Sequence, residues 1–332
     1  MNTPVPSSPR RRLWLIAGLV ASCVGLASAP VAAQSFPTKP VRIVVPFGPG
    51  GVGDLTARTV AAALSEQWGQ GVVIENRPGA GGVSATESVV RAEPDGHTLF
   101  LMSNGTAVTQ AVFEKLPFDT VKDLAPISTL GYFDIAVVVP ETSRFKTLQE
   151  LVAHAKANPG RVNVGSINIG STQNLAAELF KSTAGIDVQI VPYNGTPALL
   201  TAIRGGQLDV AVEILGPVLP QVQSKNMRVL AVTGEKRSIV LPDVPTATES
   251  GVNGFVASSW NALAAPARTP AAVIEKIQRD IATALASADV KKKLQDLNVE
   301  ARSSTPQEAA QLLASDIKRW SDVVRTANIP RQ

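Results

Sequence analysis

Cysteine is nearly absent: Cys23 is the only one in 332 residues, and the chain has just two histidines. Cys23 falls within an N-terminal leader, so the chain expected after processing has no thiol. That excludes disulfides, thiolate metal sites and cysteine nucleophiles. His97 precedes a strand in "PDGHTL" and His154 sits on the helix "LVAHAKA", both away from the loops where catalytic groups gather. Neither a G-x-S-x-G elbow nor an H-E-x-x-H helix occurs. The residues of the common hydrolases are therefore missing, and no catalysis, cofactor or metal is expected.

Net charge is scarce too. The leader holds three of the 31 basic residues (Arg10, Arg11 and Arg12) and none of the 27 acidic ones, which leaves the remainder close to neutral. The pI of 9.3 thus reflects the leader. No basic patch points to nucleic acid. Long apolar runs are absent as well. The longest, Leu13 to about Leu26, falls short of the roughly 20 residues a membrane span needs.

The leader's order is basic, then apolar, then small residues up to Val31-Ala32-Ala33, which is the order of a bacterial export signal. Cleavage is expected after Ala33, leaving a protein outside the cytoplasmic membrane. Val20-Ala21-Ser22-Cys23 resembles a lipoprotein box, but the long apolar and small-residue stretch after it favours ordinary cleavage. The three arginines match a twin-arginine signal only loosely.

The rest alternates strand and helix signals, with 45% hydrophobic residues over the whole chain, as suits a soluble two-lobed α/β protein. Val41 to Val45 is a β-branched run typical of a buried strand. A helical stripe follows in Ala57, Val60, Ala61, Leu64 and Trp68, with Asp54 placed to cap it. Strands are expected at 72–75, 98–102, 162–165, 188–191, 208–213 and 228–232. Helices are expected at 83–92, 148–158, 172–184, 196–204, 270–287, 290–297 and 306–327. Crossings between lobes are expected near Tyr132 to Val139 and Phe255 to Leu263.

Glycine-rich and hydroxyl-rich turns lie between strand and helix at five places: Phe47 to Asp54, Gly79 to Gly82, Ser103 to Thr106, Ser166 to Thr172, and Tyr193 to Thr196. The first contains Gly48, Gly50 and Gly53 in the G-x-G-x-x-G spacing of dinucleotide-binding folds, and Glu75 ends the next strand where a ribose-binding acid would stand. An exported NAD(P)-dependent oxidoreductase is therefore one reading. Against it, Pro46 and Phe47 lengthen the turn, and Pro49 has no N–H to offer a phosphate. The other reading is a small anion. A helix N-terminus carries free N–H groups and a partial charge of about +0.5, and glycine lets a ligand approach it closely. None of the five turns contains lysine or arginine. Their recurrence in both halves favours a cleft between two lobes.

The stretches "FPTKPVRIVVPFGPGGVGDLTAR", "VVIENRPGAGG", "EPDGHTLFL", "VPYNGTPALLTAIRGGQLDV", "RVLAVTGEKRSIVLPDVPTATESGV" and "IKRWSDVV" run in order along the chain. Together they resemble the Bug family, the extracytoplasmic solute receptors of tripartite tricarboxylate transporters. The resemblance implies a type II periplasmic-binding-protein fold, α/β, with two lobes of mostly parallel sheet flanked by helices and joined by two crossing strands. Lobe 1 would be 34–135 plus 257–332, completed by the C-terminal helices, and lobe 2 would be 136–256. It also implies a monomer that takes a small carboxylate or amino acid and hands it to integral membrane subunits. Carried onto this sequence, the ligand contacts are Phe47, Gly48, Gly50, Gly51 and Asp54, then Gly81, Gly82, Ser103 and Asn104. From the second lobe come Ser166, Gly170, Ser171, Thr172, Tyr193, Asn194 and Gly195. Many relatives carry lysine where Asn194 stands, which removes a charged contact. Glu213, at a strand end, is placed to accept a ligand ammonium, to cap, or to face solvent.

Overall fold

The structure, a computed structural model, describes residues 1, 3, 36–238, 240–326 and 329–332. The expected leader and its cut after Ala33 fall outside them.

Strand β1 (Val41–Val45) pairs in parallel with β2 (Val72–Asn76) and β3 (Thr98–Ser103). Its β-branched run is buried between covering helices, with Ile43, Val44 and Val45 at 0% exposure. A second parallel triplet is formed by β5 (Asn163–Ile167), β6 (Gln189–Tyr193) and β7 (Val210–Ile214). Between the triplets run β9 (Ser258–Pro266) and the 17-residue β4 (Leu124–Pro140). The path is β2-β1-β3-β9-β4-β7-β5-β6, with β8 (Met227–Val232) and β10 (Val299–Ala301) also paired to β4. β4 and β9 are antiparallel to each other and to their other partners.

β4 explains how the halves connect. Up to Asp134 it pairs with β9, and from Ile135 onward it pairs with β7 and β8. The return passes beside it, where the Thr233 N–H donates to the Ile135 carbonyl and the Ala257 N–H donates to the Thr233 carbonyl. The first crossing therefore occurs within the expected span, inside a strand that also begins eight residues earlier than Tyr132.

Helices follow most of the strands. They are α1 (Val52–Trp68), α2 (Val83–Val90), α3 (Asn104–Val112), the short α4 (Thr120–Asp123), α5 (Leu148–Ala157), α6 (Thr172–Ala184), α7 (Thr196–Arg204) and α8 (Leu215–Gln223). The last of these was not expected, because Pro217 and Pro220 hide its period. Three C-terminal helices, α9 (Ala271–Ala286), α10 (Ala288–Asp296) and α11 (Pro306–Thr326), return to the first half. The Trp68 indole donates to Asp280 at 2.6 Å, tying α1 to α9. Asn104 donates to Asp316 at 2.5 Å, tying α3 to α11. Among the described residues no helix is long and apolar enough to cross a membrane.

Candidate functional site

Each strand-to-helix turn is built by its own local chemistry. Ser103 caps α3: its Oγ accepts from the Gly105 N–H at 3.1 Å and Thr106 Oγ1 accepts from the Ser103 N–H at 3.1 Å, a capping box. Ser171 caps α6, its Oγ accepting from the Asn174 N–H at 3.1 Å. α1 and α7 start from glycines, Gly51 and Gly195, with no side-chain cap. Their orphan N–H groups are left for whatever lies in front of them.

Asp54 is therefore not the cap of α1. It lies in the first turn and reaches back, its carboxylate accepting from the Gly50 N–H at 2.9 Å. Arg58 and Asn76 also bond it, and Asn76 in turn donates to the Phe47 carbonyl at 3.0 Å. Burial alone would push the Asp54 carboxyl up; the bonds from Arg58, Gly50 and Asn76 outweigh it and hold it below the usual carboxylate range. Asp54 thus shapes the turn from behind. Asp54→Ala should weaken ligand binding about tenfold and cost roughly 1–2 kcal/mol of stability, measured by calorimetry and urea unfolding. Unchanged affinity would show that the turn holds its shape without the carboxylate.

All five turns converge on two adjoining cavities. The first, about 30 Å³, is lined by Phe47, Gly48, Gly51, Val52 and Gly53 from the first turn, by Ser103, and by Ile167, Thr172, Gln173, Gly195 and Thr196 from the other half. Phe133, Ile214, Ser259 and Asn261 complete it. The second, about 10 Å³, is lined by Pro46, Phe47, Gly79, Gly81, Gly82 and Phe100, by Ser103, Gly105 and Thr106, and by Asn168, Ile169, Gly170 and Ser171. Phe47 and Ser103 belong to both. No Lys, Arg, His, Asp or Glu lines either one.

The cleft is closed by direct bonds between the halves. The Gly81 N–H donates to the Ile169 carbonyl at 2.7 Å, and Thr109 Oγ1 donates to the carbonyls of Gly81 (2.8 Å) and Gly170 (3.4 Å). Thr172 Oγ1 donates to Asn104 Oδ1 at 3.0 Å. A Cβ at Gly48 would sit 3.3 Å from the Asn194 carbonyl oxygen.

Of the residues expected at the site, Phe47, Gly48, Gly51, Gly81, Gly82, Ser103, Gly170, Ser171, Thr172 and Gly195 line the cavities. Gly50, Asp54, Asn104, Ser166, Tyr193, Asn194 and Glu213 do not. Asn104 is spent on structure: its Nδ2 donates to Asp316, and its Oδ1 accepts from Thr172 and from the Trp320 indole. Ser166 accepts from Asn174, Tyr193 packs into an apolar cluster, and Asn194 is exposed. Glu213 is fully buried behind the wall, where its Oε1 accepts from Gln173 Nε2 at 2.9 Å and from the Ile214 N–H at 2.6 Å. It neither caps nor meets solvent. Burial pushes its carboxyl above the usual range against the bonds from Gln173, Ile214 and the Thr196 side chain. Sequence reasoning missed Gln173, Ser259, Asn261, Phe133 and Ile214, which come from a helix turn and from strands rather than from glycine-rich loops. The signal at Asn261 was legible, a lone amide inside the apolar run "WNALAAP".

The dinucleotide reading loses its acid here. Glu75 is ion-paired to both Arg42 and Arg77 instead of facing a ribose. Among the described residues no group of His, Cys, Asp and Glu is arranged to hold a metal.

Known proteins resemble this chain over most of its length. A family model described as "Tripartite tricarboxylate transporter family receptor" matches residues 56–329. The Bordetella pertussis protein BugT is 35% identical over 316 residues, covering 95% of this chain and 97% of that one. The structure of MatC from Rhodopseudomonas palustris with bound malate gives a TM-score of 0.83 at 33% identity, over 87% of this chain and 100% of the other. R. palustris Rpa4515 with adipate gives 0.85 at 31% identity, over 90% and 100%. By the family model and these relatives, this chain belongs to the receptor family of the tripartite tricarboxylate transporters, the family its Bug-like motifs pointed to.

Proposed function

We propose that this receptor binds one small organic anion, a mono- or dicarboxylate, between its halves and leaves it chemically unchanged. One observation carries the reading: two adjoining cavities lie at uncapped or hydroxyl-capped helix starts and contain no charged side chain. Backbone N–H groups and helix dipoles suit a carboxylate and need no cation. Relatives of similar fold hold malate and adipate. Glu213 lies outside both linings, so an amino-acid ammonium has no carboxylate waiting for it, which favours a plain carboxylic acid.

The protein acts as an exported monomer, cut after Ala33, that passes its ligand to integral membrane subunits. Lobe 1 comprises 34–135 and 257–332, and lobe 2 comprises 136–256. The change of partners along β4 between Asp134 and Ile135 supports that boundary.

A thermal-shift screen of carboxylates and amino acids tests the reading. At about 100 times its Kd a ligand adds roughly 2.7 kcal/mol of stability. A carboxylate should raise the melting temperature and be recovered unaltered. Stabilisation by NAD(P) and by no carboxylate would overturn the proposal.

A further inference from the structure

Asn261 lies in mid-strand on β9, opposite Ser103 of β3 and Gly131 of β4. It is 1% exposed, and its Nδ2 is enclosed without a hydrogen-bond partner. An enclosed amide N–H₂ left unpaired is costly, and asparagine is disfavoured in strands to begin with. The other polar side chains nearby are accounted for. Trp260, on the opposite face of the strand, donates its indole N–H to Asp316 at 2.7 Å. Ser259 shares the face of Asn261 and lies 3.3 Å from the Thr172 hydroxyl. The Asn104 amide is committed at both ends. Asn261 lines the first cavity together with the starts of α1, α6 and α7, and its Nδ2 is the enclosed side-chain donor there without a partner.

We propose that Asn261 is a specificity-determining ligand contact: its amide donates to the second carboxylate of a dicarboxylate whose first is held at the helix starts. The assignment rests on the carboxylate-receptor reading and narrows it to diacids. A neutral amide suits that task. It satisfies an anionic oxygen in a cavity that offers no cation, and it leaves a monoacid of equal length with one donor unanswered.

The test uses Asn261→Leu, nearly the same shape without the donor, and diacid–monoacid pairs of equal chain length: succinate with butanoate, glutarate with pentanoate, adipate with hexanoate. Calorimetry on the wild type should show a preference for the diacid in each pair that binds. In the leucine variant the diacid should bind roughly tenfold more weakly and the monoacid as before, so the preference collapses. The ligand-free variant should melt no lower than wild type, because an unpaired buried amide has been replaced by an apolar group. A purely structural role predicts the reverse, a lower melting temperature and an equal loss for both members of a pair. Either that result or an unchanged preference overturns the assignment. Asn261→Ser, a smaller donor, should recover part of the diacid preference, and loss of folding in both variants would likewise mark Asn261 as structural. Failure of the wild type to bind any carboxylate would instead refute the receptor reading, and the assignment with it.

Discussion

Gly170→Val should weaken carboxylate binding roughly a hundredfold while both halves stay folded. Gly170 has φ +82°, a region a β-branched residue enters only under strain. A Cβ there would lie 2.7 Å from the Gly81 Cα and 3.0 Å from its nitrogen, both backbone atoms of the facing half. That nitrogen donates the 2.7 Å bond to the Ile169 carbonyl. The side chain would therefore wedge the closure, and opening the cleft would relieve the clash at the expense of ligand contacts from one side. The nearest obstacle to a side chain here is thus the other half of the protein. Gly51 differs: its φ of −84° is ordinary, and a Cβ would meet Thr196 Oγ1 at 3.4 Å. Gly51→Val should therefore cost less than Gly170→Val. Titration calorimetry gives the affinities. Small-angle scattering with a saturating carboxylate that stabilises the protein should show contraction in the wild type and little in Gly170→Val. A variant that binds within threefold of wild type and contracts equally would show that the Gly81–Gly170 contact does not govern closure.

Glu213→Gln should become more stable than wild type as the pH rises. The native carboxyl is raised above its unfolded value by burial, so the unfolded chain loses its proton first. The native state's advantage from holding that proton is complete below the unfolded value and is lost as the pH climbs through the native one. Between those limits the difference in stability between variant and wild type should grow by about 1.4 kcal/mol per pH unit, then level off. Glutamine keeps the oxygen that accepts from Gln173 and Ile214 without a charge to bury. Carboxylates with lowered values, such as Asp54 and Glu75, respond in the opposite sense but identically in both proteins, so they cancel in the difference. Urea unfolding across the pH series measures it. Parallel curves would mean that Glu213 ionises as freely in the native state as in the unfolded chain.

How legible the molecule was depended on whether one local pattern served one role. Val41–Val45 and Thr196–Arg204 could be bounded to the residue because a β-branched run and a Gly-Thr-Pro start each have a single reading. The site loops were legible because glycine and hydroxyl residues recur between strand and helix. β4 was only partly legible, since its 17 residues serve two sheets and their polar interruptions, Ser128, Thr129 and Asp134, break any period. Asn104 and Asn261 are both buried asparagines. One is a structural tie and the other faces the cavity, a difference set by Asp316 and Trp320 more than two hundred positions away from Asn104. Asp54 was misplaced by one helical turn because a glycine, Gly51, started the helix before it.

The central claim is that a carboxylate is held by neutral donors at the converging helix starts. A crystal structure of the complex with a diacid that stabilises the protein tests it most directly. The account predicts carboxylate oxygens within hydrogen-bond distance of the N–H groups that begin α1, α6 and α7, with Asn261 at the other end and no lysine or arginine in contact. A ligand gripped by Arg58 or Arg77, or seated in the outer groove beside Lys236, Lys291 and Arg319, would contradict it.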